Sequence, residues 1–141
     1  MAFKDSSDEK FQEQINGSKL NLIQFSASWC GPCQATGDYL QPLQDDYESA
    51  GVSIITILID GYTPGTPPTD TEIDEWVWSH NITSVAVLQA SRDLIVDPTG
   101  VAGYALSGFP TFLYIDRTMK FYAGHTGYSD QYAREKIDEA L

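Results

Sequence analysis

Apolar residues recur along this chain at two alternating spacings, one helical and one extended. Residues 7–16 place Phe11 and Ile15 on one helical face, and Gly17 supplies the stop. Residues 20–26 then read as a first strand. Over residues 34–50, Tyr39, Leu40, Leu43 and Tyr47 recur on one side of a helix that Gly51 ends, with Pro42 inside it as the source of a kink. The run 53–59 (Ser-Ile-Ile-Thr-Ile-Leu-Ile) is β-branched and almost continuously apolar, the pattern of a central parallel strand covered on both faces. Residues 61–69, rich in Pro, Gly and Thr, read as a loop. Residues 71–80 form a helix that contains Trp76 and opens with an acidic turn. Trp76 and Trp78 cannot share one narrow face, so one belongs to the core and the other to the surface. Residues 85–89 read as another strand, Asp97-Pro98-Thr99-Gly100 as a turn, and 101–106 as a short helical segment. The chain closes with a strand at 111–115, a turn near Thr118-Met119, a strand at 120–123 and a helix. Ser129 or Asp130 caps that helix, which turns Tyr132, Ile137 and Leu141 inward.

Strands alternating with helices predict an α/β fold, a sheet with helices on its faces. At 141 residues, without repeat or linker, residues 1–141 read as a single domain. No apolar run is long enough to span a bilayer; the longest covers 54–59. The opening Met1-Ala2-Phe3-Lys4-Asp5-Ser6 has no basic region leading into a hydrophobic segment, so no secretion signal is expected, and the chain reads as cytosolic or as a trimmed form. A net charge of −12 disfavours nucleic acid and anionic membranes as partners. Nine Asp and Glu residues lie between Lys19 and Arg92, and no Lys or Arg does. That stretch is either a solvated acidic surface or a field that favours basic protein partners.

Cys30 and Cys33, the two cysteines of the chain, lie inside the acidic stretch. The loop they would close is too short to brace a fold, so they serve chemistry or stand there by chance. A strand runs out near Ser26 and a helix begins near the cysteines. At a helix N-terminus, unpaired amide N–H groups favour a thiolate, the attacking species in disulfide exchange. The spacing also puts Cys33 within disulfide reach of Cys30. A closed zinc site needs four ligands, and only His80 and His125 could join the pair, with His80 on a different expected element, so no metal is expected. His125 reads as an ordinary strand histidine or as a proton-exchanging group near the site. Asp38 reads as a solvated helix residue.

The segment Trp29-Cys30-Gly31-Pro32-Cys33 resembles the thioredoxin active site, and Gly108-Phe109-Pro110-Thr111 before a strand resembles that family's second anchor. The separation of Cys33 from Pro110 is longer than in thioredoxin, which resembles the TlpA/ResA branch, related to the redoxins. The similarity continues through 111–117 and His125-Thr126-Gly127, and covers about 11–141. The resemblance implies a thioredoxin fold: a central mixed β-sheet flanked by helices, with an extra helix and strand between the Cys-Gly-Pro-Cys unit and the Pro110 strand. It makes Cys30 the nucleophile and Cys33 the resolving thiol. It implies a cis bond before Pro110, a peptide groove lined by Gly31, Pro32, Phe109 and Pro110, Gly127 as the opposite rim, and Trp29 as the cover. Phe109, bulkier than the residue often found before this proline, would narrow partner choice.

The implied activity is thiol–disulfide exchange with protein thiols and disulfides. The unaltered Gly31-Pro32 dipeptide points to a reductase, served by an upstream redox partner and needing no cofactor. A monomer is expected, and an extracytoplasmic place by analogy with the branch. Four positions depart from the family pattern. Gln24 stands where thioredoxins carry a buried proton-relaying aspartate, and Gln34 where a lysine commonly follows the motif. Thr36 and Asp38 replace a frequent glutamate and proline. Alternatives on the same fold are a thiol peroxidase, for which Ser28 and Trp29 do not supply the usual threonine, a Cu(I) metallochaperone that could also use His125, and a non-catalytic docking or holdase module.

Overall fold

The computed structural model describes residues 20–95, 108–118 and 120–141; the helix expected at 7–16, the turn at 97–100, the segment at 101–106 and Met119 lie outside the described residues. Among the described residues, five strands form one sheet: Leu20–Ala27 (β1), Val52–Asp60 (β2), Ala86–Gln89 (β3), Thr111–Ile115 (β4) and Phe121–Thr126 (β5). Their order is β3-β2-β1-β4-β5, with β1, β2 and β3 parallel and β4 and β5 added antiparallel. β1 is buried at every residue and β2 at all but one, as strands covered on both faces must be.

Side chains alternate between the two faces of the sheet. Leu20, Leu22, Ile54, Leu58, Val87, Phe112 and Tyr114 join one apolar cluster, which also takes in residues from three helices. These are Leu40 and Leu43 of Gly31–Tyr47 (α1), Ile73 and Trp76 of Asp70–Ser79 (α2), and Ala133 and Ile137 of Asp130–Ala140 (α3). Ile23, Phe25, Ile55, Ile57, Ile59 and Leu88, offset by one along their strands, form a second cluster. Trp76 goes to the core, whereas Trp78 is 83% exposed.

α1 starts three residues before the expected 34, because Cys30 rather than a later residue is its cap, and Pro32 is tolerated in the first turn where its missing N–H costs nothing. Pro42 sits inside the helix without ending it. The last expected turn is a 3₁₀ turn, Glu48–Ala50, closed by Gly51 at φ +89°, a conformation that favours glycine. β5 lies further along than the expected 120–123. It is a half-exposed edge strand with Gly124 in its middle, so neither alternation nor propensity marks it. Ser129, not Asp130, caps α3, its hydroxyl accepting from Tyr132 N at 3.2 Å. Leu141 is not inward: the helix ends at Ala140, and Leu141 is 51% exposed, with Ala133 and Ile137 packing instead.

The expected extra helix and strand are α2 and β3. Gln41, buried on α1, holds them in place. Its carbonyl accepts from the backbone amides of Thr83, Ser84 and Val85 at 3.0, 3.0 and 3.1 Å, and its amide donates to Ser84 Oγ and Asp45 at 2.8 and 2.7 Å. Gln44 does the same for the start of β2, accepting from Ile54 N and donating to Val52 O. Gln41→Ala orphans three backbone donors at once, so a loss of about 2–4 kcal/mol is expected in urea unfolding. Gln131→Ala, which removes only an exposed bond to Glu135, should stay within about 0.5 kcal/mol of the parent.

Candidate active site

β1 runs out at Ala27, and the loop that follows is fastened to the end of β2. Ser28 N donates to Asp60 O at 3.1 Å, and Trp29 N to Gly61 O at 3.2 Å. This fixes Cys30 as the N-cap of α1, where its Sγ accepts from Cys33 N at 3.3 Å. Cys30 and Cys33 form a disulfide with Cα atoms 5.2 Å apart. Cys33 is fully buried, Cys30 is 4% exposed, and Gly31 and Pro32 between them face solvent. Gln34 secures the turn by donating to Ser28 O at 2.8 Å, and Thr36 by donating to Pro32 O at 2.8 Å.

The second anchor arrives from β4. Phe25 pairs with Thr111, so Pro110 lies beside the end of β1. The Phe109–Pro110 peptide bond is cis, and Cys30 Sγ lies 3.6 Å from Phe109 O. Gly127 N donates to Pro110 O at 2.9 Å, with Gly127 at φ +72°. The Trp29 and Phe109 rings meet edge-on at 6.1 Å. The structure therefore gathers Trp29, Cys30, Gly31, Pro32, Cys33, Phe109, Pro110 and Gly127 at one end of the sheet.

The sequence reading missed Asp60. Its side chain has no exposed surface, yet it is a carboxylate that accepts from Trp29 Nε1 at 2.8 Å, Gly65 N at 2.9 Å, and Arg92 Nε and Nη2 at 3.1 and 2.7 Å. Burial pushes the Asp60 carboxyl up. The bonds from Arg92, Gly65 and Trp29, with the Arg92 charge, outweigh burial and hold it below the ordinary carboxylate value. One signal was available: an acid closing an apolar buried strand needs a partner, and Arg92 is the first cation after Lys19.

Two other expectations change. His80 belongs to another element, as expected, but its ring packs on α1, with Nδ1 2.9 Å from Asp38 Oδ1 and Nε2 2.9 Å from Gln34 Oε1. Gly37 leaves the room, since a Cβ there would lie 2.6 Å from the imidazole. Asp38 is exposed but is not merely solvated, because it holds His80. Gln24 is fully buried; its carbonyl accepts from Thr56 Oγ1 at 3.1 Å, and its amide nitrogen has no partner among the described residues.

His125 lies on β5 with both ring nitrogens engaged. Nδ1 donates to Gly127 O and Nε2 accepts from the Tyr114 hydroxyl, each at 2.9 Å, while the ring stacks on Phe112. Burial pushes the Tyr114 phenol up, which keeps it a donor. With Thr126, Gly127, Tyr128, Ser129 and Tyr132, His125 lines a cavity of about 430 Å³.

A two-cysteine helix cap facing a cis proline at the end of a mixed five-stranded sheet defines the thioredoxin-like class of α/β proteins. Residues 2–74 match the Thioredoxin family, and the chain belongs to it. It is 40% identical over 63 residues to Thioredoxin 2 of Chlorobaculum tepidum, an alignment covering 44% of this chain and 56% of that protein. It is 30% identical over 84 residues to the thiol-disulfide oxidoreductase ResA of Oceanobacillus iheyensis, covering 57% of this chain and 40% of that one. The chain thus spans about half, or less, of the length of these curated relatives. Its fold is shared with a thiol:disulfide interchange protein of the thioredoxin family from Chlorobium tepidum (TM-score 0.69, 20% identity, 92% of this chain and 83% of that one). A thiol-disulfide oxidoreductase from Bacteroides fragilis is similar as well (TM-score 0.66, 19% identity, 96% and 88%). The helix α2 and strand β3 between the two cysteines and Pro110 are in keeping with the similarity to ResA.

Burial lowers the proton affinity of His125 more than the hydrogen bonds at its ring raise it. The unfolded imidazole, at its ordinary value of about 6.5, takes the proton more readily, so this contribution to stability is full above that value and is lost as pH falls through it toward the folded value. His125→Asn should therefore show a smaller change in urea midpoint than the parent between about pH 7.5 and about pH 5.5. Equal slopes would mean that the folded state tolerates the imidazolium.

Proposed function

We propose that this chain exchanges disulfides with protein substrates through Cys30 and Cys33, in the reducing direction. The carrying observation is the Cys30 sulfur: it caps a helix, accepts an amide N–H, and faces the carbonyl that precedes cis Pro110. The Cys30 thiolate attacks a substrate disulfide, forming a mixed disulfide and releasing one substrate thiolate. The Cys33 thiolate then attacks Cys30 Sγ, which breaks the mixed disulfide, frees the second substrate thiol and leaves Cys30–Cys33 oxidised. Two electrons pass from the dithiol to the substrate, and an upstream dithiol partner restores them. The substrate strand lies between the Trp29–Pro32 loop on one side and Phe109, Pro110 and Gly127 on the other, the last two tied by the Gly127 N–Pro110 O bond. Gly31 and Pro32, both exposed, present the side of the pair from which a substrate approaches.

The rival readings have less support. A copper site using His125 would have to displace the Tyr114 hydroxyl from Nε2 or the Gly127 carbonyl from Nδ1. The peroxidase reading lacks its threonine, since Ser28 and Trp29 precede Cys30. The similarity to ResA favours an extracytoplasmic place; among the described residues no helix is long and apolar enough to cross a membrane.

Cys30→Ser should abolish exchange with a disulfide-bonded peptide, whereas Cys33→Ser should attack once and accumulate a covalent mixed disulfide visible by mass spectrometry. Thiol trapping in dithiothreitol buffers should give one two-electron transition nearer about −270 mV than about −120 mV. A transition near the oxidising end would reverse the direction proposed, and the absence of any reversible disulfide would end the exchange reading.

A further inference from the structure

Arg92 opens a 3₁₀ turn, Arg92–Leu94, directly after β3, and is remote in sequence from both cysteines. Its guanidinium forks onto both oxygens of Asp60, and the oxygen taken by Nη2 is the one that also accepts from Trp29 Nε1 and Gly65 N. We propose that Arg92, delivered by the inserted helix–strand unit, is a positioning residue of the active site that acts through Asp60 to fix the Trp29 indole beside the Cys30–Cys33 pair. The proposal rests on reading that pair as the exchange centre.

Trp29 is 42% exposed, so packing alone does not hold it. Its polar anchor is a carboxylate without exposed surface, and a buried carboxylate stays ionised only beside a compensating charge. No Lys or Arg precedes Arg92 back to Lys19. Further along, Arg134 is occupied by Asp46 and Asp130, and Lys136 by Glu139. Among the described residues, the groups that face Asp60 are the Arg92 guanidinium from the turn after β3 and two uncharged donors, the Trp29 indole from the β1–α1 loop and the Gly65 amide from the loop after β2. Glu72 of α2 is turned instead to the Tyr62 amide and the Thr69 hydroxyl. With Arg92 present, Asp60 is ionised throughout the physiological range. Without it, burial has no charge to oppose it, and the carboxyl takes up a proton at higher pH. A protonated carboxyl is a weaker acceptor for the indole, so the Trp29 anchor becomes dependent on pH. A fork of two bonds also suits a guanidinium better than an ammonium.

The test follows the Trp29 indole N–H in ¹H–¹⁵N spectra of the full chain from about pH 5 to about pH 8, assigned with Trp29→Phe against Trp76 and Trp78. The same samples are assayed for exchange with a disulfide-bonded peptide and with a small disulfide that does not fill the groove. The expected parent resonance is flat. Arg92→Ala should make it titrate and raise KM for the peptide at least about fivefold at the acid end, with little change in the small-disulfide rate. Arg92→Lys should restore part of the flat profile. Asp60→Asn with Arg92→Ala, which leaves no buried acid to titrate, should be flat again. A flat resonance and unchanged KM in Arg92→Ala, or no difference between the Ala and Lys variants, would overturn the proposal. Should Arg92→Ala not fold, the Lys variant and the double variant decide the same question: the proposal fails if the Lys variant has the parent's KM and the double variant still titrates. If no protein, the parent included, exchanges disulfides, the functional reading fails, while the indole titration still decides whether Arg92 positions Trp29.

Discussion

A carboxylate with no surface in water has to be surrounded by donors, and the active-site end of this molecule is organised around one. Asp60 ends β2, and the segments that reach it are the Trp29 loop, the loop through Gly65 and the turn that opens at Arg92. The backbone repeats the arrangement: Asp60 O and Gly61 O receive the amides of Ser28 and Trp29. The position of Cys30 at the head of α1 therefore depends on how β2 ends as well as on how β1 ends. The unit of α2 and β3 is part of the same construction, because β3 pairs with β2 and leads directly into the Arg92 turn.

This arrangement decides where positive potential at the sulfur comes from. The chain is strongly acidic, and the Arg92 guanidinium is committed to Asp60. What faces Cys30 Sγ is the Cys33 amide at the start of α1. Amides at a helix end are fixed in place and need no long side chain to be ordered, so the thiolate can be favoured locally within an acidic surface whose more distant charges are screened by salt. The acidic surface is then left to act at longer range, on whatever approaches the groove.

The strands, helices and motif were legible because they depend on local pattern. Buried strands show themselves as apolar runs, α1 as a 3.6-residue repeat, and the redox pair by spacing. What escaped were polar groups satisfied by distant partners. Gln41 and Gln44 look like surface residues of an amphipathic helix, yet both are buried because they supply bonds to backbone that strand pairing leaves open. Asp60, Asp38 and His80 escaped for the same reason, each being explained by a residue more than thirty positions away. β5 was misplaced because an edge strand need not alternate. Leu141 followed the helical repeat correctly, but the helix stopped one residue too soon.

The same accounting bears on protons. In the family pattern a buried acid lies beneath the redox pair, but here Gln24 occupies that position and bonds Thr56 across the β1–β2 pairing. An amide in that place has no proton to give or take near neutrality. Both histidines are held by partners of their own, His80 between Asp38 and Gln34, and His125 between Tyr114 and Gly127. Asp60 is kept ionised by Arg92 and is occupied as an acceptor by the indole. The polar side chains around this disulfide thus serve to hold the Trp29 loop, its indole and the Gly127 turn in register, which leaves the proposed exchange to two sulfurs, the amide that favours charge on one of them, and the disulfide of the incoming substrate.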